Sequence, residues 1–116
     1  MDKPHWEAFE LDTLLAKKAE MTFPYLEFLH TRALSCGLYS LTAGAKDLHG
    51  PTHDDDEIYF VLSGRATLRI AGESQPIGPG SIVFVPATEE HRFVEISEDV
   101  KLLVFFAAPA PGPTSA

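Results

Sequence analysis

Cysteine is almost missing from this chain: Cys36 is the only one. No internal disulfide can form, so the fold must be held by packing. A reactive thiol needs neighbours that stabilise its thiolate, and the sequence around Cys36 supplies none. Cys36 therefore reads as a small core residue in a strand. Positive charge is scarce too. Nine Lys and Arg stand against 17 Asp and Glu, for a formal net charge of −8. Nucleic-acid phosphates and anionic membrane surfaces both call for clustered Lys and Arg, so neither is an expected partner. A small anionic ligand stays open, because a bound cation can dominate the local field. No apolar run approaches the ~18 residues of a membrane span. The segment Met1-Asp2-Lys3-Pro4-His5-Trp6 has no signal-peptide pattern, which makes a cytoplasmic protein the expectation.

What is present is enough hydrophobic material for one core. At 116 residues and 45% hydrophobic content, the chain suits a single globular domain rather than two. Residues 1–22 read as an N-terminal arm with a short helix, 23–107 as a β-barrel, and 108–116 as a Pro-rich disordered tail, with Pro109, Pro111 and Pro113 spacing small residues from residue 107 onward. In the arm, Asp12 reads as the N-cap of a helix running from Thr13 to Glu20. About two turns of helix are too short to stand without packing.

The barrel region alternates short apolar runs with Gly/Pro turns. Phe23 to Leu29 reads as an irregular or edge strand, because it contains Pro24. Leu34 to Ala43 is a better strand, and Gly44 to Thr52 a loop. Glu57 to Ser63 is rich in Ile, Tyr, Phe, Val and Leu and stops at Gly64. From Arg65 to Ile70 the alternation puts Ala66, Leu68 and Ile70 on one face and Arg65, Thr67 and Arg69 on the other. Ala71-Gly72-Glu73 is a hairpin signal, and the span Gln75 to Gly80 holds a further tight turn. Ser81 to Val85, His91 to Ile96 and Val100 to Phe106 complete the strands, with His91, Phe93 and Glu95 assigned to one face. Two strands are apolar on both faces: Ile58, Phe60 and Leu62 oppose Tyr59 and Val61, while Leu103 and Phe105 oppose Leu102, Val104 and Phe106. A small barrel has one inside, so the second face needs a cover. The arm supplies part of it. A second copy of the chain is the simplest source of the rest, and a homodimer is expected.

The chemistry-bearing stretch runs from Gly50 to Gly64. It holds His53 and Glu57, which share a face if the chain is already extended at His53. Along a strand they would then be roughly 13 Å apart at ~3.3 Å per residue. One metal with ligand bonds of about 2 Å cannot span that gap. Either the chain bends at His53, which Gly50, Pro51 and the three aspartates Asp54, Asp55 and Asp56 permit, or the two do not share a site. His91 is the candidate for a third donor. His5 and His30 read as ordinary surface or core histidines. The three aspartates read as a solvated loop, with an alternative in which one of them orients a ligating imidazole.

At this point the chain resembles the cupin superfamily, and specifically its small bacterial single-domain members. The resemblance rests on residues 44–64 and 80–95. In the first motif of that family two histidines precede a glutamate and a glycine. His53, Glu57 and Gly64 match the second histidine, the glutamate and the glycine, and Pro51 stands where the first histidine belongs. In the second motif Gly80, Pro86 and His91 match, while Thr88 replaces a glycine and Glu95 an asparagine. The resemblance implies an all-β fold, a cupin-type double-stranded β-helix (jelly-roll-like barrel) with a short N-terminal helix. It implies that His53, Glu57 and His91 converge on one divalent transition metal, Fe, Mn, Ni, Zn or Cu. His49 stands as a candidate fourth donor in place of the missing histidine.

A two-histidine, one-carboxylate set with open positions suits non-haem Fe(II) chemistry, whereas a fourth donor at His49 leaves fewer open positions. Tyr59 and Phe93 share the faces of Glu57 and His91 and would line a pocket for a small-molecule ligand. Glu95 and Tyr59 are the candidate catalytic side chains, Glu95 as a base near the metal, with a plain surface carboxylate as the preferred reading of Glu95. The functional expectation is a metal-binding cupin, in its enzymatic form a dioxygenase, isomerase or lyase acting on a small oxygenated molecule. The alternative is a non-catalytic or metal-free cupin that binds a small ligand. Pro51, Thr88 and Glu95 are the evidence for its metal-free form.

Overall fold

A computed structural model describes residues 6–46 and 55–107. One helix, α1 (Leu11–Ala19), precedes eight strands: β1 (Tyr25–His30), β2 (Leu34–Leu41), β3 (Asp56–Ser63), β4 (Ala66–Ile70), β5 (Glu73–Ile77), β6 (Ile82–Val85), β7 (His91–Ile96) and β8 (Val100–Ala107). They form two antiparallel sheets, ordered β1-β2-β8-β3-β6 and β5-β4-β7. The inner faces of the two sheets enclose one core. Tyr59, Val61, Leu68, Val85, Phe93, Val100, Leu102 and Val104 are all buried there. This is the β-sandwich closed into a barrel that the resemblance implies.

Each strand presents the residues its alternation dictates. In β3, Glu57, Tyr59 and Val61 are buried while Asp56 and Ile58 are exposed. In β4, Ala66 and Leu68 are buried and Arg69 is exposed. Between β4 and β5 the two-residue turn has Ala71 at φ 51° and Gly72 at φ 82°. Positive φ at both positions is the hairpin turn whose twist matches its strands.

Three local readings change. The helix begins at Leu11, and Glu10 occupies the N-cap without a side-chain hydrogen bond. Asp12 sits inside the first turn, where its charge still favours the positive end of the helix dipole. β1 starts at Tyr25, directly after Pro24, whose carbonyl accepts from the Ser40 N–H at 2.9 Å. The third change is β5, which covers Glu73–Ile77 and so includes part of the span assigned to a tight turn. Pro76 is tolerated because β5 is the edge of its sheet, where a missing N–H breaks no inner ladder. The turn itself falls later, closed by the Ser81 N–H donating to the Gly78 carbonyl at 2.9 Å.

Outside the barrel, α1 packs on β1 and β2. Leu14 and Lys18 of the helix, and Cys36 and Leu38 of β2, are buried. Burial also raises the Cys36 thiol pKa, so it stays protonated and unreactive. The rest of that outer face has no helix over it among the described residues. Ile58 pairs across strands with Phe84 and Phe105, and Phe60 with Ile82 and Leu103. Ile82 is 70% exposed and Phe84 58%. No helix among the described residues is long and apolar enough to cross a membrane.

Candidate metal centre

Two of the expected donors meet inside the barrel. Glu57 is the second residue of β3 and faces inward between Val85 of β6 and Phe106 of β8. His91 is the first residue of β7, on the opposing sheet, paired with Ile70 of β4. The sandwich sets them face to face. His91 Nε2 lies 3.0 Å from Glu57 Oε2, and both side chains are almost fully buried.

The imidazole is oriented from behind. His91 Nδ1 lies 2.9 Å from the Glu89 backbone carbonyl, which can only accept, so Nδ1 carries a proton. That leaves Nε2 as the nitrogen turned to Glu57. A backbone carbonyl behind a histidine in this way fixes tautomer and ring plane, as it does for metal-ligating histidines. The turn before β7 is itself anchored, since Asp56 Oδ1 accepts from the Ala87 N–H at 2.8 Å. A carboxyl so deeply buried needs a partner, and two fit: a proton shared with His91 Nε2, or a divalent ion that Glu57 and His91 would hold together. Two donors each about 2.1 Å from one ion and at right angles are about 3.0 Å apart. The pair thus has the spacing of neighbouring ligands as well as that of an ion pair.

His49 and His53 lie outside the described residues, as do Pro51 and Asp54. Among the described residues no group of three or more His, Cys, Asp or Glu comes together to hold a metal. Glu57 and His91 are the part of the expected set that the structure places. His30 is on the surface beside Glu27, with Nδ1 3.3 Å from Oε2.

Glu95 is not with them. Thr67 of β4 opposes Glu95 while the next residue, Leu68, opposes Phe93, so β7 bulges at Val94. The bulge shifts the alternation by one residue: Ile96 is buried and Glu95 is exposed, with Thr67 Oγ1 3.5 Å from its carboxylate. The reading that put His91, Phe93 and Glu95 on one face is corrected, and Glu95 does not reach the Glu57–His91 pair. Tyr59 does lie beside it. Its ring centroid is 6.2 Å from His91 and 5.5 Å from Phe93.

Thr88, in the turn before His91, has φ 68°. That left-handed conformation is where the second cupin motif carries glycine, and a β-branched residue adopts it at a cost.

Sequence reasoning overlooked Tyr25, Phe106 and Lys46. With Phe23, Tyr39 and Leu41 they line a cavity of about 470 Å³ against the inner surface of the larger sheet. Tyr25 lies over Gly37, where any side chain would run into its ring. Its buried hydroxyl has no hydrogen-bond partner among the described residues. Burial above all, then the nearby carboxylates of Glu27 and Glu57, holds its pKa well above the usual phenol range. The signal in the sequence was an aromatic directly after Pro24, too weak to place a residue inside a barrel.

Comparison with known proteins bears on the same region. The family described as "Cupin domain" matches residues 37–106. A protein of Streptomyces coelicolor, "Uncharacterized protein SCO3923", is 47% identical over 103 residues, covering 89% of this chain and 97% of its own length. Among solved structures, the cupin domain of Cnp3 from Schizosaccharomyces pombe superposes with a TM-score of 0.68 at 15% identity. That match covers 73% of this chain and 64% of that one. A "putative mannose-6-phosphate isomerase" from Ralstonia eutropha superposes with a TM-score of 0.65 at 21% identity, covering 73% of this chain and 83% of that one. At such identities the two structures speak for the fold.

Proposed function

The chain belongs to the cupin family, and from that premise we propose that it is a metal-binding cupin acting as a metal-dependent enzyme on a small oxygenated molecule. One observation carries the proposal. A carboxylate and an imidazole, both buried, face each other at 3.0 Å, with the imidazole oriented by the Glu89 carbonyl. Nitrogen and oxygen donors of this kind suit Fe, Mn, Ni, Zn or Cu. His53 and His49 are the proposed completing donors. A divalent ion bound there would act as a Lewis acid on a carbonyl or supply redox chemistry. Glu57 contributes negative charge in a site with little water, and His91 a neutral nitrogen of fixed direction. Tyr59 and Phe93 wall the site and exclude solvent. Dioxygenase, isomerase and lyase are the reaction classes this arrangement serves, and the isomerase naming of the Ralstonia protein is compatible with the second.

Titration of metal-stripped protein with Co(II) tests the metal reading directly. Visible absorption bands that saturate near one equivalent, and that disappear in Glu57→Gln, are expected. Featureless spectra with wild-type protein would favour the second reading, a metal-free small-ligand-binding cupin. The same 3.0 Å contact supports that second reading, because a protonated His91 would satisfy Glu57 by itself.

The proposal includes a second copy of the chain. Among the described residues α1 covers β1 and β2 and not the β8–β3–β6 part of the outer face, whose cross-strand rows of Ile58, Phe60, Ile82, Phe84 and Phe105 are apolar. A face of this kind, repeated by a two-fold axis, is self-complementary. Cys36, one buried thiol with no cysteine partner, suits a reducing compartment, and the proposed location is the cytoplasm.

A further inference from the structure

The cavity beside the candidate metal centre has its own chemistry. Its walls are the rings of Phe23, Tyr25, Tyr39 and Phe106 with Leu41, and its volume of about 470 Å³ is in the range of small-molecule sites. It adjoins the Glu57–His91 pair. Phe106 is the cross-strand partner of Glu57, and the Tyr39 ring lies 6.3 Å from Phe93, which in turn packs on Tyr59 beside His91. Lys46, an exposed side chain, is the one cation among the described residues that line it.

A lysine against an apolar aromatic wall is an unusual feature on a chain of net charge −8. The field of such a chain disfavours anions in general, so a site that takes one needs a local cation. An ion pair formed beside low-dielectric walls is stronger than one in open water. A neutral acceptor would gain from Lys46 only a hydrogen bond weaker than a carboxylate's, and an ammonium would be repelled by it. We propose that this cavity binds a small monocarboxylate with an apolar body, its carboxylate held by Lys46 and its body packed among Phe23, Tyr39 and Phe106. The inference goes beyond the metal reading and does not depend on it, because Lys46 and the aromatic walls are not metal donors.

The test uses the full chain after dialysis against EDTA, so that metal plays no part. Calorimetric titration with hexanoate and benzoate is compared with hexanamide and benzamide, which have the same shape and no charge. Binding of the carboxylates about tenfold tighter than the amides is expected, with the preference falling to about twofold or less in Lys46→Gln. Lys46 is exposed, so that substitution leaves the fold intact, which circular dichroism verifies. Equal binding of amides and carboxylates would overturn the proposal. So would an unchanged preference in Lys46→Gln, or no binding of any probe up to its solubility limit. A Co(II) titration that succeeds while these arms fail would remove this inference and leave the metal centre standing.

Discussion

The ring of Tyr25 occupies the space that a side chain on Gly37 would fill, so these two residues of neighbouring strands form one packing unit. Gly37→Ala would drive the ring off the inner face of β2. Overpacking of this kind costs about 1–3 kcal/mol. Urea denaturation of Gly37→Ala should show an unfolding free energy lowered by that amount, and the same substitution should cost less when made in Tyr25→Ala. An additive double mutant would show that the two do not interact.

The raised pKa of Tyr25 makes a prediction about alkaline stability. The folded state holds the phenol proton more tightly than the unfolded chain, whose tyrosines ionise near pH ~10. The contribution is therefore fully present below that pH and is lost as pH rises above it, while the unfolded form gains a phenolate. Thermal melts between pH 8 and about 11 should show a steeper fall in Tm for the wild type than for Tyr25→Phe. Parallel curves would contradict the burial of the hydroxyl.

Thr88 stands in a left-handed conformation at φ 68°. Such a conformation costs an L residue about 1–2 kcal/mol, and glycine's greater unfolded-state entropy returns part of it. Thr88→Gly should raise stability by about 0.5–1 kcal/mol in urea titrations. A loss of stability would show that the threonine side chain makes a contact outweighing the strain.

The outer face of β8, β3 and β6 predicts the assembly state. Light scattering after gel filtration should report twice the chain mass at micromolar concentration. Phe84→Glu, which changes an exposed residue and none of the core, should report the single-chain mass with an unchanged circular dichroism spectrum. A wild-type monomer would contradict the dimer.

Much of the barrel was legible because alternation is a local signal. Glu57, Tyr59 and Val61 turn inward in β3 as the pattern requires, and Ala66 and Leu68 do so in β4. The bulge at Val94 was not legible, since it is set by how β7 registers against β4 rather than by β7 alone. One misplaced residue was enough to put Glu95 on the wrong face. Pro76 hid β5 because proline argues against a strand unless the strand is an edge, and edges are decided by topology. The meeting of Glu57 and His91 joins residues on two sheets. Motif resemblance suggested it, whereas spacing alone left it open. The cavity of Tyr25, Tyr39 and Phe106 draws on three strands distant in sequence, and no pattern within one strand announces it.

The account turns on whether Glu57 and His91 hold a metal. The most direct measurement is elemental analysis of protein purified without an affinity tag, with His91→Ala alongside. About one equivalent of a divalent transition metal per chain in the wild type, lost in His91→Ala, is the predicted result. No metal in either protein, even after incubation with Fe(II), Mn(II) and Zn(II), would contradict it and leave a buried ion pair at the centre of a metal-free barrel.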